Sequence, residues 1–185
     1  MADIVLTGDT SGAITVAAPA VAGTNTITLP AETGTIVTST SAVHTNTPAF
    51  SVKLSANQNI SETTLTKVEY DTTEFDTDSA FDTSNYKFTV PSGKDGLYLF
   101  SATARLDSGA NANLVLGYLW LYKNGAAYKR SYDYFNTSNI RSYSAMVTAT
   151  LDLAVGDYIE MYGYINAVDN TGGTIATSAT LSTKL

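Results

Sequence analysis

The chain has 185 residues, a formal net charge of −7 and no cysteine. Its length fits one ordinary domain plus an extension, with a core large enough to do without disulfides. The composition excludes thiolate nucleophiles and Cys-based zinc sites, and its negative charge opposes the phosphate contacts that nucleic-acid binding needs. Charged residues make up only 15% of the chain, so the surface is expected to present hydroxyls and amides more than ions.

Residues 1–46 contain almost no aromatic side chain and alternate small apolar residues with Thr, Ser and Gly. Short extended pieces are expected at Ile14–Ala17, Thr26–Leu29 and Thr35–Thr38, separated by Gly12, Pro19, Gly23, Pro30 and Gly34. Such a segment has little with which to build a core. It is read as an extended attachment arm ordered by lying on something else, with Ile14, Val16, Val21, Ile27, Leu29 and Ile36 as its anchoring side chains. The N-terminus lacks a basic start, and Ile14–Leu29 is broken by Pro19, Gly23 and Asn25, so no export signal is expected. No apolar run approaches the roughly 20 residues of a membrane-spanning helix.

From about Pro48 the pattern is β throughout. Strands are expected at Ala49–Leu54, Thr66–Asp71, Tyr86–Val90, Gly96–Leu106, Leu114–Lys123, Ala126–Tyr134, Ser142–Leu151, Asp157–Ile165 and Thr174–Leu185. Turn chemistry separates them at Pro91-Ser92-Gly93, Ser108-Gly109, Lys123-Asn124-Gly125, Val155-Gly156-Asp157 and Gly172-Gly173. Asn124-Gly125 is the strongest hairpin signal, because a type I′ turn needs positive φ at both central residues. Many short strands with no helical stripe indicate a sandwich or barrel.

Two strands are apolar on both faces. Leu114–Lys123 carries Leu114, Leu116, Tyr118, Trp120 and Tyr122 on one side and Val115, Gly117, Leu119 and Leu121 on the other. Tyr158–Ile165 carries Tyr158, Tyr162 and Tyr164 against Ile159, Met161 and Ile165. Both faces of such a strand must be covered. One packs inside the sandwich, and the aromatic one needs a second partner. Association of subunits in closed symmetry supplies it, which makes Tyr118, Trp120, Tyr122, Tyr158, Tyr162 and Tyr164 the expected subunit interface.

The opening strand Ala49–Ser55, the run Phe81–Pro91, Gly96–Ala102, Leu121–Gly125 and Leu151–Tyr162 together resemble a C1q/TNF-type jelly roll. The spacing Phe81-Asp82, Phe88, Pro91, Gly96, Tyr98 and Phe100 is the most specific part. The chain departs from that pattern at its end, where Leu181–Leu185 stands in place of a Phe-x-Gly-x-Leu-like strand, and it has no Gly-X-Y repeat. The resemblance implies an all-β, ten-stranded, two-sheet jelly roll over residues 47–185 that forms a homotrimer with aromatic and aliphatic residues along the three-fold axis. Ser11–Thr38 is similar to a segment recurring in tailed-phage virion proteins. Arm and head together imply a non-enzymatic bacteriophage structural protein at the virion surface. Its expected role is that of a trimeric capsid decoration or cement protein, a knob or head fibre whose arm holds the major capsid protein or another virion protein. The alternative is a tail-fibre tip or adhesin that binds host-surface carbohydrate. Only about 45 residues precede the head, which favours the capsid role.

Little catalytic chemistry is on offer. His44 is the only histidine and falls in the apparent linker, so no triad is expected, and neither a cofactor nor a metal site is predicted. The acidic residues Glu69, Asp71, Glu74, Asp76, Asp78 and Asp82 match no standard calcium loop. The aromatic segment with Tyr128, Arg130, Tyr132 and Tyr134, followed by Arg141, is the candidate ligand surface, with packing at the subunit interface as the competing explanation. No nucleic-acid or membrane partner is expected.

Overall fold

The structure, a computed structural model, describes residues 4–7, 12–16, 31 and 47–184. Contacts divide the chain into two units, Met1–Val43 and His44–Leu185. In the first unit, β1 (Ile4–Thr7) pairs antiparallel with β2 (Ala13–Val16), Ile4 opposite Val16 and Thr7 opposite Ala13. The expected strand at Ile14–Ala17 is thus one arm of a hairpin. The other two expected arm strands lie outside the described residues, as do Val21, Ile27, Leu29, Ile36 and His44.

The second unit is all β, with no helix among its described residues. Its strands are β3 (Ala49–Lys53), β4 (Gln58–Ile60), β5 (Thr66–Lys67), β6 (Thr72–Asp76), β7 (Phe81–Asp82), β8 (Lys87–Thr89), β9 (Gly96–Asp107), β10 (Leu114–Lys123), β11 (Ala126–Tyr134), β12 (Ser142–Leu153), β13 (Tyr158–Ala167), β14 (Gly173–Ile175) and β15 (Thr180–Lys184). They form two antiparallel sheets. A six-stranded sheet runs β11-β10-β13-β8-β7, with β5 also on β13; a seven-stranded sheet runs β4-β14-β9-β15-β3-β6, with β12 along the other edge of β9.

This is the two-sheet jelly roll the resemblance implies, with thirteen described strands where ten are expected, because short pairings at Gln58–Ile60, Thr72–Asp76 and Phe81–Asp82 add to those read from sequence; three further differences are local. The strand expected at Thr174–Leu185 is two strands, because a turn at Thr177-Ser178 breaks it before Ala179 enters the core. Of Thr66–Asp71, only Thr66-Lys67 is strand; Val68 still donates its N–H to the Met161 carbonyl at 2.8 Å, and Tyr70 is buried by its side chain. A bulge between Leu114 and Leu116 shifts the alternation of β10, so Leu114 turns into the core instead of joining the aromatic face.

The core is where the most specific sequence spacing converges. Phe50 stacks on Phe88 and meets Phe81, both at 5.2 Å between ring centroids, while Phe88 packs on Phe100 at 5.6 Å and on Tyr98 at 5.4 Å. Phe81 and Phe88 come from the six-stranded sheet, and Phe50, Tyr98 and Phe100 from the seven-stranded one, so the cluster joins the two layers. β12 shows why its sequence reads as strand: Ala145, Val147, Ala149, Leu151 and Leu153 are buried, and each residue between them is exposed. β14 can lie against β9 only because residue 173 is glycine, since a Cβ there would stand 2.1 Å from the Asp107 carbonyl oxygen.

The β10–β11 hairpin turns at Asn124-Gly125 with φ of 52° and 75°, the signature of the expected type I′ turn. Asn124 also ties this turn to the β12–β13 turn: its Nδ2 donates to Asp157 Oδ1 at 2.7 Å, and its Oδ1 accepts from the Tyr158 backbone N–H at 2.8 Å. Asp157 Oδ2 accepts from Lys123 Nζ at 2.9 Å and from the Ala154 N–H at 3.0 Å. The Asn124 amide, the Lys123 ammonium and the Ala154 N–H together hold the Asp157 carboxyl down at about 2. A depressed carboxylate stabilises the fold fully above its unfolded value and loses that contribution as pH falls through its folded one. Thermal melting of the protein is therefore expected to drop between about pH 4 and pH 2, and Asp157→Asn is expected to flatten that part of the profile while lowering the melting temperature at neutral pH.

Candidate functional site

Strand alternation puts a different surface on the outside of each sheet. On the six-stranded sheet, β10 lies between β11 and β13, and the register builds two aromatic rows across three strands. One is Tyr132–Tyr118–Tyr164; the other is Arg130–Trp120–Tyr162. Ring centroids are 5.7 Å apart for Tyr118–Tyr132, 5.0 Å for Tyr118–Tyr164 and 4.6 Å for Tyr122–Tyr162. Tyr118, Trp120, Tyr122, Tyr158, Tyr162 and Tyr164 are all half-buried, sheltered largely by one another.

This face gathers residues that the sequence assigned to two separate purposes. Four of the expected ligand residues, Tyr128, Arg130, Tyr132 and Tyr134, are on β11 beside the expected interface residues of β10 and β13. Tyr128 sits at a bulge in the hairpin register, and Tyr134 lies opposite Leu116. Arg141 is not with them. Its Nε pairs with Asp107 Oδ1 at 3.3 Å, on a carboxylate that Arg105 also holds at 2.8 Å.

Sequence reasoning missed two members of the face. Glu160 is buried between Tyr158 and Tyr162 on the outward-facing side of β13, and Lys67 on β5 reaches it, Nζ to Oε1, at 2.6 Å. Lys67 Nζ also donates to the Asn85 carbonyl at 2.5 Å, and the Tyr162 hydroxyl donates to Glu160 Oε2 at 3.4 Å. The signal was present, because Glu160 occupies the i+2 position between two tyrosines of an otherwise apolar row. Burial first, and then the Glu160 charge, push the Tyr162 hydroxyl up; burial likewise raises Tyr164.

The seven-stranded sheet presents a different exterior. A row of small hydroxyls, Ser51–Ser182–Ser101–Thr148, runs across β3, β15, β9 and β12. Exposed apolar side chains frame it: Leu97 (65% exposed), Leu99 (48%), Met146 (62%) and Phe75 (51%). These too were legible in principle. Gly96–Phe100 is apolar on both faces, just as β10 is, and the same argument for a covered second face applies to Leu97 and Leu99.

The acidic residues are spent on turns. Asp71 accepts from Ser55, and Asp76 from the backbone N–H groups of Ala80 and Phe81. Asp82 accepts from those of Ser84 and Asn85. Glu74 binds Ser51 and Lys53, Asp78 pairs with Lys94 at 3.6 Å, and Glu69 lines an open polar groove. Among the described residues, no group of three or more His, Asp or Glu is placed to hold a metal ion.

The family model of the C1q domain matches residues 49–180. The head resembles the globular domain of zebrafish complement 1qA protein, with 19% identity, 74% of this chain and 94% of that one covered, and a TM-score of 0.53. It also resembles murine APRIL at pH 8.0, with 11% identity, 74% and 96% coverage, and a TM-score of 0.54. Likeness at these identities establishes the fold. A relative in sequence is the uncharacterized protein YqcC of Bacillus subtilis (strain 168), 32% identical over 106 residues; the match covers 55% of this chain and 28% of that protein's length.

The Lys67–Glu160 pair makes a stability prediction. Lys67→Met leaves the Glu160 carboxylate without its cation and is expected to cost about 2 kcal/mol, somewhat under the usual penalty for an orphaned buried charge because the Lys67 side chain is 27% exposed. The double variant Lys67→Met/Glu160→Leu is expected to recover most of that loss in urea unfolding.

Proposed function

The chain belongs to the C1q domain family, and we propose that it works without catalysis as a homotrimeric structural protein of a bacteriophage virion surface. In this reading it is a capsid decoration or cement protein, a knob or head fibre whose arm, residues 1–46, holds the major capsid protein or another virion protein. The observation that carries the trimer is the exterior of the seven-stranded sheet. Leu97, Leu99, Met146 and Phe75 have no polar atom with which to face water, and they frame a row of short hydroxyl side chains that allows close approach of a second surface. The tyrosines of the other sheet carry a hydroxyl each and already shelter one another, so they tolerate a wet exterior. The exposures thus favour the seven-stranded sheet as the face turned to the three-fold axis, rather than the aromatic face expected from sequence.

The virion role is supported by the arm's similarity to phage-particle segments, by the hydroxyl-rich acidic surface, and by a relative from a bacterium. The fibre-tip reading is favoured by one specific feature, the aromatic face with Arg130 laid over it.

Light scattering of the purified protein at micromolar concentration is expected to give the mass of three chains; a monomer overturns the proposal. Leu99→Asp or Met146→Asp is expected to weaken assembly by about 2 kcal/mol or more at each contact, while Trp120→Asp leaves the trimer intact. The reverse pattern would place the axis at the aromatic face. Virions supplied only with a chain lacking residues 1–46 are expected to lose this protein from the particle, and normal occupancy would refute the arm's role.

A further inference from the structure

The chain has three arginines. Arg105 and Arg141 are ion-paired to Asp107. Arg130 has no ion-pair or side-chain hydrogen-bond partner among the described residues, yet it is not loose. Its guanidinium carbon lies 4.6 Å from the Tyr132 ring centroid, 4.9 Å from that of Trp120 and 5.2 Å from that of Tyr118. Contact with three rings holds a cation in place through their π faces and leaves its N–H donors unspent. Arg130 is exposed, so those donors are open to a ligand. Glu160, the acid beside the aromatic rows and opposite Tyr122, is already neutralised by Lys67.

We propose that this face binds a carboxylate-bearing polysaccharide, a uronic-acid glycan whose acid group is taken by Arg130 above Trp120 and whose sugar rings lie on the neighbouring Tyr164 and Tyr162. The guanidinium fork matches a carboxylate with two parallel hydrogen bonds. The C–H-rich face of a pyranose suits an aromatic platform. The exterior of a sheet is open and nearly flat, which suits an extended polymer more than an enclosed small molecule. Charge selects among polyanions. The chain carries −7 overall, and Lys87, over the Tyr158 ring at 4.9 Å, is the second cation set over a ring of this face. One or two cations cannot follow a phosphate at every unit of a nucleic acid or a phosphodiester polymer, whereas a uronate glycan can space its charges.

This inference does not rest on the virion reading, and its test uses the purified full-length protein alone. Trp120 is the only tryptophan in the chain and lies inside the site, so its emission reports on occupancy directly. Titration with an oligogalacturonate is expected to change Trp120 emission to saturation. Methyl-esterifying the oligosaccharide, or Arg130→Gln with an unchanged melting temperature, is expected to weaken binding about tenfold or more, while Arg141→Gln binds as the parent does. The inference is overturned by no change in emission and no heat at millimolar oligosaccharide. Equal binding of the methyl ester overturns it too, as does equal or tighter binding of a glycerol-phosphate polymer or of polyglutamate.

Discussion

The contact on which the head depends is the one between Phe50 and Phe88, with Phe81, Tyr98 and Phe100 around them. It is a contact between sheets and not within one. Its members come from β3 and from the three consecutive strands β7, β8 and β9, which lie in different sheets, so the cluster forms only when the chain crosses from one layer to the other between β8 and β9 and β3 joins it. Burying several aromatic side chains at one place supplies a large part of the driving force, and their geometry sets how the layers face each other. Once the inner faces of β9, β10 and β13 are committed to that interior, strand alternation dictates what is left outside.

What is left outside is unequal. The seven-stranded sheet shows aliphatic side chains and Phe75 around short hydroxyls, a surface that gains by excluding water. The six-stranded sheet shows rings, hydroxyls, an ion pair and an exposed guanidinium, a surface that remains stable in water and still offers binding energy to a ligand. Under the proposed trimer and the proposed ligand site, a single domain divides its labour by sheet, with assembly on one exterior and recognition on the other. The division follows from composition along the strands: β9 alternates Leu97, Leu99, Ser101 and Thr103 outward, while β10 alternates Tyr118, Trp120 and Tyr122.

Much of this is legible in the sequence. The strands from Gly96 to Ile165 fall within two residues or so of where alternation and turn chemistry place them, and Asn124-Gly125 makes the expected turn because few residues other than Asn and Gly accept that backbone. What escaped the sequence is what depends on register. A bulge at Leu114–Leu116 moves one leucine from an outer face to the core, and no periodicity signals where an extra residue will be absorbed. The meeting of Arg130 with Trp120, and of Lys67 with Glu160, is set by which strands become neighbours. Closeness in sequence groups Arg141 with Arg130, but the chain turns between them, and Asp107 takes Arg141 instead.

The aromatic rows explain why Arg130 can stay unneutralised in so acidic a chain. Among 17 acidic residues, carboxylates accept from turn backbones or pair with Lys53, Lys67, Lys94, Lys123, Arg105 and Arg141. Had an aspartate stood opposite Arg130, in place of Trp120, the fork would be closed and the face electrically dull. Rings hold a cation without consuming its hydrogen-bond donors, so the row Arg130–Trp120–Tyr162 keeps a positioned charge available at the surface. Glu160, the acid beside these rows and opposite Tyr122, is withdrawn from competition by a lysine from β5 that also binds the Asn85 carbonyl. The short strand β5, which looked in sequence like part of a longer one, therefore bears on the chemistry of the face as well as on the edge of the sheet.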